Sequence, residues 1–252
     1  MCDLLLLTVS IHRFFIFQTI FCALSCHEIV LYILVHIVYN LFMSDFLKEH
    51  DCAILIFGTF NPVTTAHVNI GLKAGEMIPD SDVVYVPAKD EFLRSWKGFR
   101  EDSIVHERVA LLEKVAKRYG FKVSHAELDG IVDGKTVNTI EYMKNTVGYS
   151  DIILCMGTDK VGELGTWYKG EELVSRNRFI IFERGATADD VMDDLTRKYA
   201  ANFTFVKEDD KYVDISATEV RNALSEGDLM KVQALVPDEV YEFLAERGNN
   251  EF

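Results

Sequence analysis

From Cys52 onward, apolar residues fall into two alternating kinds of run. Short blocks rich in β-branched and aromatic residues, 53–57 (AILIF), 83–86 (VVYV), 121–123 (FKV), 152–156 (IILCM), 179–182 (FIIF) and 203–206 (FTFV), predict strands. Near-continuous runs such as AILIF and IILCM suit a sheet covered on both faces. Between them, 67–77, 103–119, 139–145 and 188–199 carry apolar residues at helical spacing. In 103–119 the stripe is Ile104, Val105, Val109, Leu111, Leu112, Val115 and Ala116, with Ser103 placed to cap it. Strand and helix in alternation predict an α/β fold: a Rossmann-like open, mostly parallel sheet with helices on both faces and ligands at the carboxyl ends of its strands. After 203–206 the pattern changes to short helical pieces, 217–224, 229–235 and 238–247, broken by Gly227 and Pro237.

The first 42 residues are a different material. They hold two apolar runs interrupted by His27 and Glu28 and only three formal charges, Asp3, Arg13 and Glu28. Each run is shorter than the roughly 18 to 20 residues that span a bilayer, and the start Met1-Cys2-Asp3 lacks the basic region of a secretory signal. Residues 1–42 are therefore expected to be an extension from a misplaced start codon, with a membrane-tethering segment as the alternative, and 43–252 to form one domain. Intact mass of the native protein separates the two. The remaining 210 residues carry 38 acidic and 25 basic side chains, which excludes nonspecific nucleic-acid or anionic-membrane binding for them and requires any anionic ligand to be met by a local positive cluster. Cys52 and Cys155 lie at or within apolar runs and read as small buried hydrophobes of a reducing compartment.

Three places carry candidate chemistry. The run 53–57 ends in Gly58, Thr59, Phe60, Asn61, Pro62, Val63, Thr64, Thr65, Ala66 and His67, and a helix follows. Glycine at a strand's carboxyl end lets backbone come close to a ligand, and the helix start offers free N–H groups and a positive dipole end to phosphate. His67 can face the same anion, although a capping or solvated histidine fits the same place. About 150 residues further on, Asp214-Ile215-Ser216-Ala217-Thr218-Glu219-Val220-Arg221 opens another helix. Ser216 is a natural N-cap there, and Thr218 and Arg221 share a face, which reads as a second anion cradle or as a capped surface helix. Third, Gly157 closes the run 152–156, Asp159 can accept ribose hydroxyls, and Trp167 offers a flat face to an aromatic base; a buried tryptophan and a capping aspartate are the plainer reading. Lys89, Arg94, Lys97 and Arg100 place four positive charges within twelve residues after 83–86, where a triphosphate could be neutralised. No spacing of ligand residues predicts an all-protein metal site.

GTFNPVTTAH closely resembles the nucleotidyltransferase superfamily signature, Gly-x-Phe-x-Pro followed by (His/Thr)-x-Gly-His, and its Phe-Asn-Pro-Val-Thr is closest to nicotinamide/nicotinate mononucleotide adenylyltransferases. Thr64 stands where the first His would be, and Ala66 adds a methyl where the family has Gly. Ile215 to Arg221 is similar to the family's Ile-Ser-x-Thr-x-x-Arg motif, and Gly157-x-Asp159 with Trp167 to the segment that contacts adenosine and the nicotinyl ring. The resemblance covers about residues 52–247. It implies transfer of the adenylyl group of ATP to nicotinamide or nicotinate mononucleotide, giving NAD or its deamido form and pyrophosphate. His67, Arg221, Thr64 and Lys97 then carry the reaction; Gly58, Thr59, Phe60, Asn61, Gly157, Asp159, Ser216 and Thr218 hold ATP; Trp167, Thr136 and Asn138 hold the nicotinyl nucleotide. Arg184 matches a position near ATP. Mg²⁺ bound through the substrate phosphates is expected. Phosphopantetheine adenylyltransferase, and a nucleotide-binding regulatory protein without turnover, are the alternatives. The loop after Val86 lacks a Pro-Pro-His-Lys run, which favours the amide as acceptor. Nucleic acid is not an expected partner, self-association is left open, and the expected location is the cytoplasm, or a membrane if residues 1–42 belong to the native protein.

Overall fold

The computed structural model describes residues 49–89 and 103–248; the apolar leader and Arg94, Lys97 and Arg100 lie outside them. Six strands, β1 (Cys52–Gly58), β2 (Ser81–Pro87), β3 (Lys122–Val123), β4 (Asp151–Gly157), β5 (Arg178–Glu183) and β6 (Phe203–Lys207), form one sheet in the order β3-β2-β1-β4-β5-β6. Every neighbouring pair is parallel. The expected strands are all present. The order reverses direction between β1 and β4, so the loops leaving those two strands part there and open the crevice in which doubly wound sheets bind ligands.

The pleat explains why these runs carry no polar alternation. Ile54, Ile56, Tyr85, Ile153, Cys155, Ile180 and Phe182 face one core, with helix α1 (Thr65–Met77) and the C-terminal helices. Ala53, Leu55, Val84, Val86, Ile152, Leu154, Phe179 and Ile181 face the other. Both sets are essentially sealed from solvent, so each strand needs apolar side chains at odd and even positions alike. Cys155 is buried and free of any disulfide, as a small hydrophobe should be, and burial pushes its thiol pKa up.

Helix α2 (Ser103–Tyr119) has the expected bounds, and Leu111, Leu112, Val115 and Ala116 of its stripe are buried. Helix α3 (Thr136–Tyr142) begins three residues before its expected start and runs on through a wide turn over Met143–Val147. A 3₁₀ stretch, Thr158–Thr166, and helix α4 (Gly170–Arg176) follow β4. The single helix expected over 188–199 is two short ones, Ala188–Val191 and Asp194–Lys198. Asp193 breaks it: its carboxylate accepts the Thr196 N–H at 2.8 Å and starts a new helix. The chain ends in α5 (Ala217–Ser225), α6 (Leu229–Leu235) and α7 (Asp238–Gly248). Among the described residues no helix is long and apolar enough to cross a membrane.

Candidate active site

The loop from β1 into α1 is built around one aromatic ring. Phe60 adopts a left-handed backbone (φ 47°) and buries its ring between those of Tyr85 and His67, each 5.1 Å away between centroids. The close approach that glycine permits at position 58 is made by this ring, since a Cβ there would lie 3.0 Å from Phe60 Cζ. Gly58→Ala is therefore expected to lose about 1–3 kcal/mol of stability through overpacking, measured by denaturant unfolding. Ala66, the residue that departs from the family signature, points its methyl into the core rather than the crevice.

Thr64 is the N-cap of α1 and His67 occupies the third helical position, where the two close a reciprocal capping box. The His67 N–H meets Thr64 Oγ1 at 3.4 Å, and His67 Nδ1 accepts from the Thr64 N–H at 3.0 Å, with the threonine hydroxyl 2.7 Å away. An Nδ1 that accepts from a backbone N–H carries no proton, so the neutral ring holds its hydrogen on Nε2. Burial, and then the positive charge of Arg184, lower the His67 pKa from 6.5 to about 4. The unfolded chain thus binds more protons than the folded one between those values. Folding stability should rise from pH 4 to pH 6.5 by up to about 3 kcal/mol on this account alone. Unfolding titrations at pH 4, 5.5 and 7.5 should show the stability advantage of the parent over His67→Gln shrinking as pH falls.

Two arginines draw distant segments onto this loop. Arg221 of α5 donates from Nη1 to the Asn61 carbonyl at 2.6 Å and from Nη2 to Thr218 Oγ1 at 3.0 Å. Ser216 caps α5 through the Glu219 N–H at 3.1 Å, as its residue type predicts. Arg184, just past β5, donates to the carbonyls of Ile215 (2.6 Å) and Val213 (3.3 Å), while its own N–H donates to Thr158 Oγ1 at 3.1 Å. The ends of β4 and β5 and the segment leading into α5 are thereby tied together, and Arg221 ties that segment to the first loop. Gly157 lies beneath this arrangement: a Cβ there would be 2.5 Å from Asp159 Oδ1 and 3.4 Å from Arg184 Cδ. The Asp159 side chain itself is largely exposed.

Trp167 is half-buried against the core that also contains Val86 and Val137. The start of α3 meets the same segment, because Lys135 Nζ sits 4.6 Å from the centroid of the neighbouring Tyr168 ring. Thr136, Asn138 and Trp167 are thus carried on segments that touch. Asn138 is already engaged, donating from Nδ2 to Asp133 Oδ1 at 3.0 Å. Hydrogen bonds from Lys135, and from Asn138 after it, hold the Asp133 carboxyl down at about 2. Lys97 lies outside the described residues; Lys89 lies just past β2.

Several residues of this region went unread in the sequence. Arg108 is fully buried on α2 and reaches the loops that leave β1 and β2. Glu208, also buried, accepts from Asn69 Nδ2 at 2.6 Å and pairs with Lys73 at 3.3 Å, fastening α1 to the segment after β6. The signal for Arg108 was available: it lies on the apolar stripe one turn before Leu111 and Leu112 and two before Val115. Among the described residues, the one cluster able to close on a metal ion is Glu49, His50 and Asp82. It lies at the amino end of β2, about 20 Å of strand away from the crevice, and Lys122 already pairs with Glu49 there at 3.0 Å.

Comparison with known proteins agrees with this geometry. Residues 55–223 match the family model described as "Cytidylyltransferase-like". The chain is 28% identical over 191 residues to a Clostridium acetobutylicum protein named "Probable nicotinate-nucleotide adenylyltransferase", covering 74% of this chain and 92% of that one. It is also 28% identical over 200 residues to a protein of the same name from Herpetosiphon aurantiacus, covering 77% and 95%. The fold is similar to that of Plasmodium falciparum nicotinic acid mononucleotide adenylyltransferase complexed with NaAD, with a TM-score of 0.60 at 20% identity over 78% of this chain and 96% of that one. With two thirds of its length inside the family model, on the same sheet whose crevice gathers both signature segments, the chain belongs to the cytidylyltransferase-like family.

Proposed function

We propose that this protein transfers the adenylyl group of ATP to the 5′-phosphate of a pyridine mononucleotide. The observation that carries this reading is the bond from Arg221 to the Asn61 carbonyl, which closes two anion cradles 160 residues apart onto one crevice. Relatives named as nicotinate-nucleotide adenylyltransferases, matched over nearly their whole length, support it, and they favour the acid acceptor over the amide that the loop after Val86 suggested.

In this reaction an oxygen of the acceptor phosphate forms a bond to the α-phosphorus of ATP as the bond from that phosphorus to the leaving pyrophosphate breaks. No covalent enzyme intermediate is needed, so the protein's work is alignment and neutralisation of charge. His67, neutral and with its hydrogen on Nε2, donates to a phosphate oxygen while its Nδ1 stays locked to Thr64. Arg221 and Arg184 bring positive charge to the triphosphate, and Lys97 adds to it from the basic loop. Ser216 and Thr218 shape the start of α5 for the phosphates, as the segment Gly58 to Asn61 does from the other side. Asp159 takes the ribose of ATP, and Trp167, Thr136 and Asn138 the nicotinyl nucleotide.

Mg²⁺ is proposed to accompany ATP. Among the described residues, Asn61 Oδ1, buried and meeting no donor, is an oxygen that fits such an ion. That suits a hard cation held mainly by phosphates and water. Bound there, it would neutralise charge on the phosphates.

Pyrophosphate release from ATP, measured in parallel with nicotinate mononucleotide, nicotinamide mononucleotide and phosphopantetheine, tests the reading. Release with a pyridine nucleotide is expected. Release with phosphopantetheine alone, or nucleotide binding without release for any acceptor, would overturn it.

A further inference from the structure

Arg108 is an unusual residue to find sealed in a protein interior. Its side chain is 0% exposed, and a buried guanidinium is tolerated only where its donors are met. Here Nη1 donates to the Thr59 carbonyl at 2.7 Å and Nη2 to the Ala88 carbonyl at 2.5 Å. Thr59 and Ala88 are the first residues beyond β1 and β2, and the Ala88 N–H in turn donates to the Gly58 carbonyl at 2.9 Å. The guanidinium therefore spans the gap between the carboxyl ends of β1 and β2, of which β1 borders the crevice.

The consequence lies in the peptide groups. In a trans peptide the carbonyl and the following N–H point in opposite directions, and the one cis bond among the described residues is Asn61–Pro62. Drawing the Thr59 carbonyl onto Arg108 turns the Phe60 N–H away from α2, and drawing the Ala88 carbonyl turns the Lys89 N–H the same way. Among the described residues the Phe60 N–H reaches no acceptor, although buried backbone donors are almost always paired. Arg221 likewise neutralises the Asn61 carbonyl, with no following N–H to aim because the next residue is Pro62. The carbonyl oxygens of Thr59 and Ala88, which would repel an anion, are thus held on Arg108, and the donor side of the loop is left open.

We infer that Arg108 is a positioning residue for adenylyl transfer: by holding the Thr59 and Ala88 carbonyls it aims the Phe60 and Lys89 amides at the substrate phosphates. This rests on the reaction proposed above. Lysine at 108 keeps the charge but cannot fork between two carbonyls, so the full-length Arg108→Lys variant separates geometry from charge. Leu244→Ala, a buried truncation on α7 that packs against α2 but makes no hydrogen bond to the Thr59 or Ala88 carbonyls, supplies a comparison for loss of stability alone.

At matched loss of melting temperature, Arg108→Lys should lose about 100-fold in kcat for pyrophosphate release with KM values within about threefold of the parent, the scale of a misplacement near 1 Å. Leu244→Ala should stay within about threefold in kcat. Arg108→Lys within threefold of the parent, or no worse than Leu244→Ala, overturns the inference. If Arg108→Lys does not fold, Arg108→Gln, which keeps one donor, is held to the same criteria. If the parent itself releases no pyrophosphate with any pyridine mononucleotide, the proposed reaction fails, and calorimetric ATP binding then decides for Arg108: weakening of tenfold or more in the lysine variant supports its placement of the phosphate loop, and unchanged affinity overturns it.

Discussion

Replacing His67 by alanine should leave a folded protein whose turnover falls by about 10²–10³, the effect of removing one preorganised donor from a phosphoryl-transfer site. Stability should fall as well, by about 1 kcal/mol, because the imidazole also closes the capping box with Thr64. His67→Gln separates the two roles. Glutamine at the third helical position can accept the Thr64 N–H through its side-chain carbonyl, so the melting temperature should return toward that of the parent. Turnover should not return, since the ring N–H proposed to donate to the phosphates is gone. The pair is read by pyrophosphate release alongside thermal unfolding. An alanine variant that releases pyrophosphate at nearly the parental rate removes His67 from the reaction, and a glutamine variant that recovers both stability and turnover reduces the histidine to a cap.

Truncating Arg221 should have a comparably large effect by a different route. Its guanidinium holds the Asn61 carbonyl with one nitrogen and Thr218 with the other, so Arg221→Ala both removes charge from the crevice and uncouples α5 from the first loop. A loss of about 10²–10³ in kcat/KM for ATP is expected. Arg221→Lys keeps the charge on a single point and cannot make both contacts, so it should recover part of that loss and fall short of the parent. Burial lowers the Arg221 pKa from its ordinary value, yet the group stays charged across any working pH, so the deficit of the alanine variant should not depend on pH. A lysine variant equal to the parent would show that charge alone matters and that the tether between the two segments is incidental.

How far the sequence alone reaches can be judged residue by residue. Ser216 was legible as a cap because a serine before an apolar-periodic stretch has one common use, and the structure has it accept the Glu219 N–H. Thr64 and His67 were legible as a pair near a helix start, but their reciprocal bonding was not. Threonine followed three residues later by histidine lacks the usual Glu or Gln, and only the backbone geometry shows Nδ1 turned inward. The expected helix over 188–199 failed at Asp193, where a local side-chain bond outweighs a continuous apolar period. The close approach expected at Gly58 is made in part by Phe60, whose left-handed backbone brings its ring back over the glycine, a contact no local pattern announces. Arg108 stayed unread because a charged residue on an apolar stripe looks like an interruption until its acceptors appear.

What the sequence determined by itself was the alternation of strand and helix and the two-faced burial of each strand, and it marked three segments as candidates, two of them for anions, since these follow from residue type and spacing within a few turns of chain. What only the tertiary structure decided was how the segments meet. Arg221 reaches Asn61 across 160 residues, Arg184 reaches Ile215 across 31, and Arg108 reaches Thr59 across 49. Those bonds depend on a strand order that reverses between β1 and β4. No local pattern encodes them, because a guanidinium finds its carbonyl only after the sheet has brought the strand ends side by side.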